Sequence, residues 1–223
     1  MSKKEKTANL EVLIECEVRD KNGKILSVHK QKSKSLLKNF ARILRTMLVP
    51  AIPTATGSST VSLTDTGGTS RTFTGAYLAQ TGGSAYVGLY PLNAGAPIGT
   101  DAYGIQVGMG TGSVTRDDYQ LGYKISHGTG SGQLSYGAMT VEDTDGTPPD
   151  TTFRLIRTFT NNTSSSITVY EIGLVIANSL IPITSSISPT TYYFLIARDL
   201  LSTPQTIPAG ATLTVRYIFK VTA

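Results

Sequence analysis

The sequence predicts an all-β protein: a jelly-roll-type β-sandwich with an N-terminal β-hairpin and one amphipathic helix. First, from residue 153 to residue 221, apolar and β-branched residues alternate or cluster over runs of about five to eight positions. Second, turn signals such as Asn161-Asn162-Thr163-Ser164 and Ile207-Pro208-Ala209-Gly210 separate these runs. Third, 223 residues are enough for one good core. We expect an N-terminal part over residues 1–50 and a sandwich domain over residues 51–223.

The N-terminal part begins with a predicted hairpin. Residues 11–19 alternate between apolar and polar types, residues 20–23 read Asp-Lys-Asn-Gly, and residues 24–29 return as a second strand. An Asn-Gly pair between alternating runs is a strong hairpin signal.

Residues 35–49 predict the only convincing helix. Ser33 or Ser35 is expected to cap its start, and Pro50 to end it. The apolar face consists of Leu36, Leu37, Phe40, Ile43, Leu44, Met47 and Leu48, and the opposite face carries Lys38, Arg42 and Arg45.

The remaining residues predict short strands separated by turns and loops. Residues 51–85 are rich in Gly, Ser and Thr, with a tight turn at residues 65–68, and a subdomain break near residue 50 or 100 stays open. Residues 143–150 are expected to form an acidic external loop. Strands are predicted at residues 85–90, 104–109, 133–141, 152–160, 166–177, 191–197 and 212–221.

The net charge of +5 is unevenly distributed. Residues 1–50 hold twelve Lys/Arg and five Asp/Glu, a net charge of +7, whereas residues 51–223 hold eight and ten, a net charge of −2. A basic segment can contact nucleic acid, an acidic neighbouring subunit or an anionic membrane, and it can equally be a solvated tail. The residues predicted to form an interface or anchor are Lys30, Lys32, Lys34, Lys38, Phe40, Arg42, Ile43 and Arg45.

The helix has two interpretations. Its basic face can lie on nucleic acid or an anionic membrane. Alternatively, its apolar face closes one end of the sandwich, and its basic face meets solvent or a neighbouring subunit.

The single cysteine, Cys16, excludes an intrachain disulfide, and its place in an alternating run predicts a small apolar core residue. One cysteine and two distant histidines provide no zinc site. The first residues lack the apolar segment of a signal peptide, and no apolar run is long enough to span a membrane. We therefore expect synthesis in the cytoplasm.

Residues 108–113, Gly-Met-Gly-Thr-Gly-Ser, resemble a phosphate-binding loop only superficially. A P-loop needs a lysine followed by Ser or Thr and then a helix, and the sequence here offers neither. We interpret this segment as a passage from a strand into a turn.

Several acidic residues are candidates for acid–base catalysis or for cation binding: Asp117, Asp118, Glu142, Asp143 and Asp145. The last three lack the alternating ligands and the distal glutamate of an EF-hand. His29 and His127 lie in no recognisable nucleophile motif. We predict a protein that is not an enzyme, with no catalytic residue, no cofactor and no metal site.

Asn161 and Asn162 begin two overlapping N-glycosylation sequons. Such sequons also arise by chance in turns rich in Asn and Thr, so both interpretations stay open.

Eleven tyrosines and no tryptophan suit either a protein interface or a sugar-binding surface. The tyrosines that can form such a surface are Tyr77, Tyr86, Tyr90, Tyr103, Tyr119 and Tyr123.

Four segments carry a resemblance to known proteins. Residues 157–174 read RTFTNNTSSSITVYEIGL, and residues 197–217 read ARDLLSTPQTIPAGATLTVRY. Residues 105–112 read IQVGMGTG, followed by DYQL at residues 118–121, and residues 33–40 read SKSLLKNF after the hairpin. Together they cover about half of the chain, which resembles structural proteins of tailed phages and of icosahedral viruses of archaea. Residues 50–101 carry no such resemblance.

The resemblance implies a virion structural protein that is assembled in the host cytoplasm. Among the positions in a virion, the resemblance favours the icosahedral vertex, where the protein would be a penton base or turret base. A tail, baseplate or decoration protein of a tailed phage is the alternative within the class, and a carbohydrate-binding β-sandwich module is the alternative outside it.

The implied partners are other copies of the chain in a homo-oligomer, expected to be a pentamer, together with the major capsid protein and other vertex proteins. The basic arm is expected to contact the genome or an inner membrane, and the outer loops a host receptor. On this view residues 1–50 anchor the protein inside the shell, and the loops of residues 51–103 and 143–150 face outward. Removal of residues 1–34 should then leave the β domain folded.

Overall fold

The computed structural model describes residues 9–48, 60–74, 92–144, 150–180 and 190–222. This part of the chain is almost entirely antiparallel β-sheet with one short helix, which confirms the predicted all-β class. The elements are β1 (Asn9–Arg19), β2 (Ile25–Lys32), α1 (Lys38–Leu48), β3 (Thr60–Thr64), β4 (Ser70–Thr74), β5 (Gly104–Gly108), β6 (Ser135–Tyr136), β7 (Thr140–Thr144), β8 (Asp150–Thr160), β9 (Ile167–Leu180), β10 (Thr190–Ile207) and β11 (Thr212–Thr222).

The strands form three sheets. The first sheet has the order β2-β1-β11-β8, and both β6 and β7 pair with the far side of β8. The second sheet has the order β10-β9-β5, and β3 and β4 form a separate hairpin. The first two sheets contribute to one hydrophobic core in a sandwich-like arrangement.

Alternation along the strands decides which side chains enter this core, because successive residues of a strand face opposite sides of the sheet. In β1 every second side chain is buried, and Cys16 is one of them, as predicted. Burial, with a smaller contribution from Glu15, raises the pKa of the Cys16 thiol to about 12. The core residues include Val12, Ile14, Cys16 and Val18 of β1, Leu213, Val215 and Tyr217 of β11, and Ile105, Val107, Ile172 and Leu174 of the second sheet.

The predicted hairpin is confirmed, and its turn explains why it forms. The Asp20 carboxylate accepts hydrogen bonds from the backbone N–H groups of Asn22 and Lys24, each at 2.9 Å. Gly23 adopts a φ of 84°, which a residue without a side chain reaches at no steric cost.

The hairpin is part of the first sheet and not an arm beside it. β1 lies between β2 and β11 and pairs with β11 along its whole length, from Asn9 to Arg19. Removing residues 1–34 would take away both hairpin strands, leave the hydrogen-bonding edge of β11 unpaired, and remove Val12, Ile14, Cys16 and Val18 from the core. From this structure we instead expect the β domain to need residues 1–34 for folding, and the division of the chain near residue 50 stays a prediction.

Helix α1 begins three residues later than predicted because the preceding residues bind β10. The Ser33 hydroxyl donates to Asp199 Oδ2 at 2.7 Å, and the Lys34 N–H donates to Asp199 Oδ1 at 2.7 Å. The Leu37 N–H donates to the carbonyl oxygen of Ile196 at 2.9 Å. Ser33 is thus committed to β10, and the predicted cap at Ser33 or Ser35 is replaced by these contacts.

Asn39 fixes the helix against its neighbours. Its side-chain amide donates to the carbonyl oxygens of Thr64, at 2.9 Å, and Leu195, at 3.2 Å, and its oxygen accepts the Thr64 N–H at 3.1 Å. Below the helix, Ile43 is buried with Val61, Leu63, Ile176 and Phe194 in a second apolar cluster.

Most of the other predicted strands are present with shifted bounds. Residues 133–141 divide into β6 and β7, because Met139 donates its N–H to Ala96 instead of continuing along β8. Residues 191–197 belong to the much longer β10, which continues through Pro204 with register shifts after Leu195 and Leu200. The tight turn predicted at residues 65–68 joins β3 and β4. The strand predicted at residues 85–90 and part of the acidic loop lie outside the described residues.

Candidate functional site

The segments that carry the resemblance meet around one buried carboxylate. Glu171 of β9 is fully buried, and the Arg198 side chain of β10 is only 5% exposed. Arg198 Nε donates to Glu171 Oε2 at 2.8 Å, and Arg198 Nη1 donates to Asp118 Oδ2 at 2.7 Å. We call these three residues the buried charge cluster.

The cluster also holds the glycine-rich passage, residues 108–123, which we call the glycine loop. Glu171 accepts the backbone N–H groups of Gly110 at 3.0 Å, Gly122 at 3.0 Å and Tyr123 at 2.7 Å. The Arg198 guanidinium donates to the carbonyl oxygen of Gly112 at 3.1 Å. One carboxylate therefore organises both ends of the loop, and three amide donors together with Arg198 compensate its burial.

The loop needs glycine where it approaches this carboxylate. A Cβ atom at Gly108 would lie 2.6 Å from both Glu171 Oε1 and the Tyr123 carbonyl oxygen. A Cβ atom at Gly110 would collide with Glu171 Oε1 and lie 2.8 Å from the Tyr123 nitrogen, whereas one at Gly112 would meet nothing within 4 Å. The amide of Gly110 is therefore committed to Glu171, and a phosphate in the same place would face a carboxylate.

The electrostatics at Arg198 and Asp118 favour the ionised forms of these two side chains. Burial lowers the pKa of the Arg198 guanidinium, but hydrogen bonds to Asp118 and Glu171 outweigh this effect and leave that pKa above its ordinary value. Burial raises the pKa of the Asp118 carboxyl, but hydrogen bonds from Thr115 and Arg198 leave it below the ordinary value.

A second buried arginine organises the segment before β5. Arg157 of β8 is fully buried, and its guanidinium carbon lies 4.8 Å from the centre of the Tyr136 ring. Burial lowers its pKa, and no carboxylate pairs with it among the described residues. It is satisfied instead by carbonyl oxygens, those of Gly137, Tyr103, Ile105, Pro97 and Thr100.

The turn after β8 uses Asn161 as an internal brace. Its side-chain amide donates to the carbonyl oxygens of Ser165 and Ile207, each at 2.8 Å, and its oxygen accepts the Thr163 N–H at 3.0 Å. Since the Asn161 side chain is fully buried, glycosylation there conflicts with the folded structure. Asn162 is exposed and donates to Ser135 Oγ at 2.7 Å, and its use as a glycosylation site stays a prediction.

The predicted anchor residues lie in two separate places. Lys30 and Lys32 lie on β2 with side chains 68% and 71% exposed, and they pair with Glu15 at 2.7 Å and Glu11 at 2.5 Å. Lys34 follows β2 and is also exposed.

The other predicted anchor residues lie on helix α1. Lys38 Nζ lies 2.8 Å from Asp117 of the glycine loop, and Arg42 Nη1 donates to the Ser62 carbonyl oxygen at 2.5 Å. Phe40 is half-buried and Arg45 is exposed. Ile43 is buried against the chain's own β-strands, and its role as an interface or anchor residue stays a prediction.

The acidic candidates are dispersed. Asp117 and Asp118 point to different partners, Lys38 and Arg198, and Glu142 lies 3.5 Å from Arg154. Asp145 lies outside the described residues. The described part of the chain contains no group of three or more His, Cys, Asp or Glu side chains that could hold a metal ion.

One serine–histidine contact was not foreseen from the sequence. Ser202 Oγ of β10 lies 3.3 Å from His29 Nε2 of β2, but the same nitrogen lies 2.9 Å from Gln31 Oε1, which can only accept a hydrogen bond. In the tautomer that satisfies the contact with Gln31, His29 Nε2 is a donor and does not accept the serine proton. Gln31 Oε1 also accepts the Ser202 N–H at 2.9 Å, so the group joins β2 to β10.

A cleft of about 400 Å³ opens beside the glycine loop. Lys124 Nζ and Asp101 Oδ1 form an ion pair of 3.1 Å in its lining, and Gln106 and Gln120 add amide groups. Tyr193 lines the cleft, and its ring stacks on Tyr103 with centroids 5.9 Å apart. The lining residues come from four separate stretches of the chain, which is why sequence patterns did not reveal the cleft.

Comparisons of the chain with protein-family models, with curated proteins and with solved structures found no match. Within the described residues, no helix has the length and apolar character needed to cross a membrane.

Proposed function

We propose that the chain is a non-enzymatic structural protein of a virus particle, built on a jelly-roll-type β-sandwich and present in several symmetric copies. Within the particle we propose the icosahedral vertex, as a penton base or turret base. The proposal rests on the resemblance of four segments to virion proteins, and on what those segments do in the fold.

The observation that carries the proposal is the buried charge cluster. Glu171, Arg198 and Asp118 belong to three of the four resembling segments, and the fourth reaches Asp199, the neighbour of Arg198, through Ser33 and Lys34. Residues that are far apart in sequence thus share one interior framework. Segments that are joined by buried hydrogen bonds in this way form one rigid interior, and a rigid subunit suits the shell of a virus particle.

The outer surface of the first sheet supports assembly with neighbours. Its edge strand β2 exposes Ile25, Leu26 and Val28 by 45–50%. Apolar side chains gathered on exposed strands are typical of protein–protein contacts.

The test uses antibodies raised against the recombinant protein to probe virus particles purified by density gradient from cells that carry the gene. The protein should sediment with the particles at a constant ratio to the major capsid protein, and labelling should concentrate at the vertices. Labelling of a tail would replace the vertex assignment with the tail or baseplate alternative. Recovery only in particle-free fractions would overturn the virion role.

The cleft at Tyr193 favours a second candidate, a carbohydrate-binding module. An aromatic ring beside charged and amide side chains is a lining that recognises sugar hydroxyls and sugar faces. A glycan array should then give specific signals that Gln120→Ala removes and that Tyr123→Ala, an exposed tyrosine outside the cleft lining, preserves. An array without signal would reject this candidate.

A further inference from the structure

The first sheet ends in two strands of opposite charge. Among the described strands, β2 at one end pairs only with β1, and at the other end β7 and the two-residue β6 pair only with β8. We call β2 the basic edge and β7 the acidic edge. Unpaired strand edges present backbone N–H and C=O groups that can accept another strand.

The basic edge combines exposed apolar and cationic side chains. Leu26 and Val28 are 45% and 50% exposed. Lys30 and Lys32 remain 68% and 71% exposed although both pair with glutamates of β1, so their ammonium groups are accessible to a partner. Residues 21–38 contain six lysines and no acidic residue.

The acidic edge has the complementary composition. Val141 is 59% exposed, the Glu142 side chain is 52% exposed, and Asp143 is exposed. Residues 140–150 contain four acidic residues and no Lys or Arg.

We propose that the basic edge of one copy pairs with the acidic edge of the next copy, so that the first sheets of neighbouring subunits join head to tail. This inference rests on the proposed function as an assembling protein and names the surfaces that assemble. A contact between two different surfaces generates a ring when the rotation closes. Pairing β2 with β2 would instead place lysines opposite lysines, which is destabilising.

Crosslinking tests the geometry. The native thiol of Cys16 is fully buried with its pKa raised to about 12, so introduced cysteines react selectively. Val28→Cys and Thr140→Cys place one thiol on each edge and on the same outer face of the sheet, because Val28 lies opposite Glu17 and the exposed Thr140 lies opposite Ile156. With a short bismaleimide, the double variant should give a ladder of covalent oligomers, and each single variant should remain monomeric on denaturing gels.

The alternative outcomes separate the two proposals. Covalent dimers from Val28→Cys alone would show a two-fold contact and overturn the head-to-tail pairing. An oligomer in native mass spectrometry without crosslinks in the double variant would place the contact on other surfaces and leave the virion role standing. A monomer at every concentration would overturn the pairing, whereas the particle experiment judges the virion role independently.

Charge exchange tests the complementarity. One variant carries Lys30→Glu and Lys32→Glu, and the other carries Glu142→Lys and Asp143→Lys. Each variant alone should lose at least tenfold in self-association, and an equimolar mixture should regain association in open chains or even-numbered rings, because unlike copies must alternate. Circular dichroism confirms folding, and Lys30→Gln with Lys32→Gln replaces the first variant if it unfolds. Association of both variants at the wild-type level would overturn the inference.

Discussion

The interior of the sandwich and the outer face of its first sheet both pair a cation with a glutamate, and the two settings give these pairs different roles. In the interior, the Arg198 side chain is 5% exposed and Glu171 is fully buried. On the outer face, Lys30 and Lys32 are 68% and 71% exposed beside Glu15 and Glu11. Water and salt compete with the outer pairs, so each contributes little to stability.

Water cannot reach the interior pair of Glu171 and Arg198, so it cannot replace either partner. Loss of the Glu171 carboxylate would leave the buried Arg198 with Asp118 as its remaining carboxylate partner, and it would leave the loop amides without their acceptor. The comparison therefore predicts that buried charges fix the fold of the glycine loop, and that outer charges can be exchanged at small cost in stability and remain accessible for assembly.

The largest effect is expected for Glu171→Gln. The free energy of unfolding should fall by about 3–5 kcal/mol, because the buried Arg198 loses one of its two carboxylate partners and the new amide NH2 group faces N–H donors. The matched control is Glu15→Gln, which removes the partner of Lys30 and Arg216 on the outer face and should cost less than about 1 kcal/mol. Urea unfolding followed by circular dichroism measures both. Equal losses of unfolding free energy in the two variants would show that the buried pair and the exposed pairs contribute alike to stability.

A smaller effect is expected within the glycine loop itself. Gly110→Ala should lower the free energy of unfolding by about 1–3 kcal/mol, because its Cβ atom displaces Glu171 or the Tyr123 backbone. Gly112→Ala, only two residues away, has open space for its Cβ atom and should change stability by less than about 1 kcal/mol. The same urea experiment compares them, and a tolerant Gly110 would show that the loop is not held against the carboxylate.

The smallest effect concerns pH and the adjacent residues Asp117 and Asp118. Both carboxyls have pKa values below the ordinary value in the folded state, Asp118 despite the opposing effect of burial and Asp117 chiefly through its hydrogen bond from Lys38. Their contribution to stability is therefore present above the unfolded pKa, about 3.9, and is lost as pH falls through the folded pKa.

Asn substitutions at these two positions distinguish the buried setting from the exposed one. Asp118→Asn should be less stable than wild type at pH 7, and the difference should shrink toward pH 3 in both low and high salt. For Asp117→Asn the difference at pH 7 should disappear in 1 M salt, because its ion pairs are exposed. A salt-sensitive Asp118 would contradict the assignment of its pair with Arg198 to the protected interior.

The fold was predictable where local signals decide the structure. The Asn-Gly turn defined the hairpin, and strict alternation defined β1 and β11 together with the burial of Cys16. The start of α1 was not predictable, because the partner of Ser33 is Asp199, which lies 166 residues away in sequence. The length of β10 was obscured by Pro204, which lies at a register shift and interrupts the strand pattern.

The buried charge cluster was not predicted from the periodicity of apolar residues, although the sequence contains a signal for it. Glu171 is the only charge in the apolar stretch of β9, and Arg198 and Asp199 interrupt the apolar stretch of β10. A charge within a strand that is buried on both faces needs a partner, so these residues predict an ion pair. The partner amides of the glycine loop were beyond prediction, because no sequence rule relates Gly110 to Glu171.

Amide hydrogen exchange measured by NMR on the wild-type protein tests the central claim, that a buried carboxylate holds the glycine loop. The N–H groups of Gly110, Gly122 and Tyr123 should exchange as slowly as those of the core strands, through global unfolding. The Asn22 N–H provides the control, because it also donates to a carboxylate, that of Asp20, but in an exposed turn, and it should exchange rapidly. If the three loop amides exchange as rapidly as Asn22, the loop is not held by Glu171 and the account is wrong.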